Sequence, residues 1–330
     1  MTSKFLVIGS NSFSGAYFVR YLLEKNYTVL GVSRSEEINK VFLPYRWLKE
    51  EKSFHYKRID LNRDLEVLID LIKEKEPEYI VNFAAQGMVA QSWLTPEDWY
   101  QTNVVAQVKL HNKLKDLEFL KKYVHVTTPE VYGSTKGWVK ENFNFDPSTP
   151  YAVSRASCDL HLNSFYKAYN FPVVFTRAAN VYGPGQQLYR IIPRTIFLAL
   201  TKGSLQLHGG GYSVRSFIHM ADVANATLKV ALKGKIGETY HISKKSTISI
   251  RDLVSKICKM LEVNFNDLVE ETEDRLGKDQ SYLLESSKLR EELGWIDTIQ
   301  LDEGLRETLS WVKGNLSALK ELPLDYQHKR

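Results

Sequence analysis

Two stretches of the sequence carry side chains able to move protons. The first is Val126-Thr127-Thr128-Pro129-Glu130-Val131-Tyr132-Gly133, at the end of an apolar run, and the second is Tyr151-Ala152-Val153-Ser154-Arg155. A tyrosine and an arginine four residues apart share one face of a helix. Positive charge close to a phenol lowers its pKa, so Tyr151 beside Arg155 reads as a base formed from a phenolate.

The next candidate chemistry is anion binding near the amino terminus. Phe5-Leu6-Val7-Ile8 leads into Gly9-Ser10-Asn11-Ser12-Phe13-Ser14-Gly15, where small residues let a phosphate approach the backbone and an opening helix offers its free N–H groups. Gly9, Asn11, Ser12, Phe13 and Gly15 are therefore expected at a dinucleotide, although Ser12 stands where the glycine-rich pattern has another glycine. The second apolar run ends in Val32-Ser33-Arg34-Ser35, with no acid for the ribose hydroxyls. Ser33 and Arg34 suit a 2′-phosphate, which favours NADP over NAD. Asp60-Leu61 is expected at the adenine, and Ala84-Ala85-Gln86 forms a small-residue floor at a strand end, where such sheets collect ligands.

These segments need a scaffold that brings strand ends together. Apolar runs at Lys4–Gly9, Thr28–Val32, Phe54–Arg58, Tyr79–Asn82, Tyr123–Thr127 and Val173–Arg177 alternate with helical patterns at Phe13–Lys25, Asp64–Lys75, Trp99–Leu117 and Tyr151–Tyr169. That rhythm predicts an α/β fold with a doubly wound parallel sheet of Rossmann type. After Arg177 the pattern changes: turns at Gly183-Pro184-Gly185 and Gly209-Gly210-Gly211 separate helices near Ile192–Lys202, Ala221–Leu232 and Ile250–Leu261, followed by Leu301–Val312. The expected division is a coenzyme domain over 1–178, to which 217–243 returns, and a smaller mixed α/β lobe over 179–216 and 244–330.

At 330 residues the chain is long enough for two lobes around one cleft. Its 44 Lys and Arg against 39 Asp and Glu leave a net charge of +5. The cations are scattered rather than gathered into a basic arm, which argues against a nucleic-acid partner. Cys158 and Cys258 are too few for a disulfide framework and fit a reducing compartment. No apolar run approaches the roughly 20 residues of a membrane span, and Met1–Lys4 is too short for a signal peptide, so a cytoplasmic protein is expected. His208, His219 and His241 have no metal-ligand spacing, and no metal is expected.

With these landmarks in this order, the chain resembles the extended short-chain dehydrogenase/reductases, and within them the nucleotide-sugar 4,6-dehydratases. The resemblance runs through the Gly9–Gly15 turn, Ala84-Ala85, Thr102-Asn103, Thr128–Gly133, Tyr151–Arg155, Asn180, Tyr182-Gly183-Pro184, Arg215, Arg275–Asp279 and Leu293-Gly294-Trp295. It implies that Tyr151 deprotonates the C4 hydroxyl of a nucleotide-activated hexose as hydride leaves for a tightly bound, recycled NADP or NAD. Glu130 would remove the C5 proton, Thr128 would hold the C4 oxygen, and Arg155 would stand where the family has Lys. Arg215 and Arg275 would pair with the diphosphate, while Gln86, Asn180 and Arg190 would contact the substrate. The resemblance also implies a homodimer formed through Trp99–Leu117 and Tyr151–Tyr169.

Two positions depart from the family pattern. Pro129 stands where the dTDP-glucose enzymes have an Asp that protonates the leaving hydroxyl, so Glu130 or a water must do this. Arg155 keeps the charge of the family's Lys but not its shape. The base is also ambiguous: the region after Arg275 resembles the dTDP-glucose enzymes, whereas Gln86 and Ser33-Arg34 resemble the GDP-mannose ones. An epimerase or another dehydratase of the family remains as an alternative, and so does a sensor that binds a nucleotide sugar or NADP without catalysis.

Overall fold

A computed structural model of the chain describes residues 4–49, 53–274 and 281–329. Four short apolar runs and the mixed run Phe54–Arg58 form the strands β1 (Lys4–Ile8), β2 (Thr28–Ser33), β3 (Phe54–Arg58), β4 (Tyr79–Asn82) and β5 (Lys122–Thr127). Two more strands, Val173–Ala178 and Thr239–Ile242, complete a seven-stranded sheet in the order Thr239–Ile242, Val173–Ala178, β5, β4, β1, β2, β3. Every pair is parallel, which requires helical crossovers on the faces. The Thr239–Ile242 strand is absent from the sequence-based strand set, since Thr-Tyr-His-Ile is polar at two of four positions. Pairing with Val173–Ala178 nevertheless buries all four residues.

Separate apolar clusters cover the two faces. One packs α1 (Phe13–Glu24) and the helix Met220–Lys233 against the sheet, with Phe18, Leu22, Val223 and Val230 at its centre. The other packs α2 (Leu65–Lys75), α4 (Ala106–Leu114) and α5 (Pro150–Tyr169) through Leu68, Ile72, Leu110 and Leu162. A third cluster gathers Ile192, Ile196, Leu253, Ile257 and Val312 from the second half of the chain.

The expected Trp99–Leu117 helix starts earlier and is interrupted. It begins as α3 (Pro96–Tyr100), widens into a π turn over Gln101–Val105 and resumes as α4. The extra residue per turn belongs to the segment carrying Asn103, whose fully buried amide bonds across the molecule. Such bulges often mark functional regions, because they turn a side chain out of the regular helical register.

Candidate active site

The turn after β1 is built for close approach. Gly9 has φ +83°, and a Cβ there would lie 2.7 Å from the Ala84 backbone nitrogen; a Cβ on Gly15 would lie 2.2 Å from the Gly9 carbonyl oxygen. Ser12 caps α1, accepting from the Gly15 amide at 3.1 Å and donating to the Gly9 carbonyl at 2.7 Å. The first turn of α1 contains no acid to compete with an anion at its positive end. This cradle, of glycines that tolerate no side chain in front of an uncontested helix terminus, fits the pyrophosphate of a dinucleotide.

The residues around the cradle are held by hydrogen bonds of their own. The Asn11 side chain donates to the Ser35 and Glu36 carbonyls at 3.2 Å each and to the Tyr56 hydroxyl at 3.0 Å. It thereby pins the segment after β2, while its backbone amide donates to Ser33 Oγ at 2.9 Å. Arg34 reaches from the end of β2 to Gln86, beyond β4, at 3.2 Å. Asp60 accepts the Asn62 amide at 2.9 Å, and Leu61 is buried in the sheet's second cluster. The backbone of the 98%-buried Gln86 is gripped on both sides by the Asn103 amide, at 2.7 and 3.0 Å. Asn103 also donates to Ser154 in α5 at 2.9 Å, tying the floor of the crevice to the helix that carries Tyr151.

On the other side of β1, Thr128 caps the short turn Pro129–Tyr132, which leaves Glu130 at the strand end. Gly133 closes that turn with φ +62°, where a Cβ would lie 2.2 Å from the Asp146 carbonyl oxygen. Tyr151 sits at the start of α5, with its phenol hydrogen-bonded to the Thr128 side chain. Burial raises the pKa of this phenol, and the Glu130 carboxylate raises it further; Arg155, the Thr128 hydrogen bond and Arg190 act in the opposite direction. Five sequence-predicted residues therefore act on or constitute one phenol.

Tyr282, which the motif reading overlooked, also belongs here. Its ring lies under the Arg215 guanidinium at 4.4 Å, and burial followed by the Glu130 charge pushes its phenol up to about 12. Asn180 and Arg215 hydrogen-bond to it, and the Glu130 charge acts on this phenol as it does on that of Tyr151. The only sequence signal was an aromatic residue placed just after the Arg275–Asp279 run. Arg275 itself lies outside the described residues. Arg190 is exposed at the N-cap of the helix Ile191–Thr201.

Arg155 is only 2% exposed and is turned back on β5. Its Nη2 donates to the Val126 carbonyl and lies 3.3 Å from His125 Nε2, while Nη1 is buried without a hydrogen-bond partner. A buried donor with no acceptor costs about 1–3 kcal/mol. Beneath this layer, Asp159 binds Arg177 at 2.8 Å and Thr127 at 2.9 Å. Burial drives the Asp159 carboxyl upward, but Arg177, His125 and Arg155 outweigh it and hold the group below the usual range. Arg177 continues to the Tyr132 hydroxyl at 2.6 Å, so the network braces both sides of the Glu130 turn.

Among the described residues, one grouping has metal-like geometry: His111, His125 and Cys158, whose donor atoms lie within 4.8 Å of one another in the interior. Burial lowers the pKa of both histidines, and Arg155 lowers both further. The same positive charge opposes a divalent cation there.

The family model of GDP-mannose 4,6 dehydratase matches residues 6–308. A probable dTDP-glucose 4,6-dehydratase of Sinorhizobium fredii is 29% identical, over 94% of this chain and 93% of the relative. The solved dTDP-glucose 4,6-dehydratase of Streptomyces venezuelae, with NAD bound, superposes with a TM-score of 0.89 at 29% identity, covering 96% of this chain and 98% of that one. A UDP-glucose 4-epimerase of Thermotoga maritima reaches 0.85 at 25% identity, covering 95% and 99%. Given a match that spans both the glycine cradle and the Thr128–Tyr151 site, this chain belongs to the GDP-mannose 4,6 dehydratase family.

Proposed function

We propose that the protein is an NDP-hexose 4,6-dehydratase that uses a nicotinamide dinucleotide, and that the product is the 4-keto-6-deoxy sugar nucleotide. The observation carrying this reading is that Thr128, which caps the turn bearing Glu130, also hydrogen-bonds the Tyr151 phenol, so that an acid and a phenol meet at one strand end and the Glu130 charge acts on the phenol. The epimerase alternative needs the phenol but has no use for the acid.

Tyr151 takes the proton of the C4 hydroxyl while Thr128 holds the C4 oxygen, a donor aimed where negative charge develops. The coenzyme, when bound, supplies the hydride acceptor for C4 and later the hydride donor for C6. The resulting 4-ketone acidifies the C5 hydrogen, which Glu130 removes. With Pro129 unable to donate, Glu130 passes that proton to the departing C6 hydroxyl, which leaves as water. With C6 reduced, Glu130 delivers a solvent-derived proton to C5 and Tyr151 gives up the C4 proton to solvent, so the net change is loss of one water. Arg155 acts on the phenol through its charge, the third-largest influence on Tyr151 and a lowering one.

The proposed coenzyme contacts are Gly9, Asn11, Ser12, Phe13, Gly15, Ser33, Arg34, Asp60, Leu61, Ala84, Ala85 and Gln86, within residues 1–178 and 217–243. The sugar nucleotide is assigned to 179–216 and 244–330, with Asn180, Arg190, Arg215 and Arg275 as its polar partners. NADP is preferred to NAD because Glu37 is occupied by Arg46 at 2.6 Å and by Tyr45 at 2.7 Å, which leaves the Arg34 charge less opposed. A homodimer is supported by the exposed Tyr100, Val105 and Leu160 on the α3–α4 and α5 helices. Incubation with dTDP-, UDP-, GDP- and CDP-hexoses, followed by mass spectrometry, tests the activity: one of them loses water. Tight binding with no product from any would favour the sensor.

A further inference from the structure

Residues 325–329 lie beyond the stretch that the family model matches, yet they return to the ligand end of the sheet. The Lys329 carbonyl accepts from Gln86 Nε2 at 2.6 Å and from Arg34 Nη1 at 2.9 Å, while Arg34 Nη2 donates to Gln86 Oε1 at 3.2 Å. The His328 ring lies flat on Trp99, with 5.0 Å between centroids and 4° between planes, and its Nε2 is 2.7 Å from Asp98. Tyr326 stands edge-on to Tyr189 at 5.5 Å, and the charges of Arg34 and Arg190 both act on its phenol. Asp325 pairs with Arg194 at 2.8 Å.

The topology gives these contacts their meaning. Arg34 follows β2 and Gln86 follows β4, with β1 between the two strands. A link from Arg34 through Lys329 to Gln86 therefore crosses the end of β1, where the Gly9 cradle opens. Ordering this segment costs about 1–2 kcal/mol per residue in backbone entropy. The charge-assisted bonds and the ring stack offset that cost only while the segment is seated on these two side chains.

We propose that Tyr326–Lys329 complete the coenzyme site as positioning residues. The Lys329 carbonyl fixes Arg34 and Gln86 across the crevice, and the segment runs from the adenosine end, at Arg34, toward the sugar-nucleotide side, at Arg190. A dinucleotide in the cradle is thereby retained between turnovers, as a recycled coenzyme requires. This rests on the coenzyme reading of the Gly9 crevice.

The test compares the full chain with a variant ending after Asp325 and with the double variant Tyr326→Ala, His328→Ala, measuring Kd and dissociation rate for NAD and NADP alongside the coenzyme-free thermal midpoint. Loss of the Arg34 and Gln86 anchors raises Kd for the preferred coenzyme about tenfold, equivalent to about 1.4 kcal/mol, mainly through faster dissociation, with the midpoint unchanged. Equal Kd and dissociation rate in all three chains overturns the proposal, as does tighter binding after truncation, which would make the segment an obstruction. A lowered midpoint with unaltered Kd also overturns it, since the role would be purely structural. Binding of neither coenzyme by the full chain overturns the crevice reading itself, a result distinct from equal binding by all three.

Discussion

Tyr151 faces opposing fields. Burial and the neighbouring carboxylate favour the neutral phenol, so the coenzyme-free protein holds it protonated above the ordinary tyrosine range. An oxidised nicotinamide ring bound beside the phenol would bring positive charge to it and reverse part of that shift. Ultraviolet difference titration of the parent against Tyr151→Phe should assign this ionisation, which should move to lower pH when oxidised coenzyme is added. Glu130→Gln, by removing a charge that raises the pKa, should also lower it. An ionisation indifferent to both changes would separate the phenol from the proposed site. Thr128, Glu130 and Tyr151 were legible in the sequence because their types and their positions, at a strand end and at a helix start, are local. Tyr282 was not, since its place between Asn180, Arg215 and Glu130 arises from residues more than 60 positions away in the chain. The direction of Arg155, back toward Val126, was likewise invisible to helical spacing, which fixes a face but not a rotamer.

At the scale of elements, the first turn sets a strict geometric requirement. Gly15→Ala would put a methyl group 2.2 Å from the Gly9 carbonyl, a contact that forces backbone movement because no flexible side chain is there to yield. We expect a loss of about 1–3 kcal/mol in stability and a coenzyme Kd raised at least about tenfold, measured by thermal unfolding and binding titration. A variant as stable and as tight as the parent would mean that the turn is not the cradle described. Strands β1, β2, β4 and β5 were readable because buried parallel strands are short apolar runs bounded by turns, whereas the edge strand β3 is polar at three of its five positions and largely open to solvent. The π turn in the α3–α4 helix was not, because Asn103 bonds to Gln86 and Ser154, partners that only the folded chain brings together. The strand Thr239–Ile242 was hidden for the same reason: its burial comes from the neighbour with which it pairs.

The whole molecule contains an unusual set of histidines held neutral by burial. Burial lowers His219 to about 4, and burial with the Arg177 charge takes His241 to about 3; His111 and His125 are lowered as well. Each has a folded pKa below its unfolded value near 6.5, so the unfolded chain takes up protons first. The stability these residues contribute is complete above about pH 6.5 and drains away as the pH falls toward the folded values. Thermal midpoints should be level from pH 7 to 8 and fall by several degrees between pH 6.5 and 4.5, at about 2–4 °C per kcal/mol. A midpoint independent of pH across that window would show these histidines to be solvated. The account as a whole depends on Glu130 acting at C5 of the sugar that Tyr151 oxidises at C4, and the most direct measurement is turnover of the accepted NDP-hexose in deuterium oxide. The parent should release a product that has lost one water and carries one deuterium at C5, whereas Glu130→Gln should form that product about a thousandfold more slowly. Unchanged water loss and C5 labelling in Glu130→Gln would contradict the account.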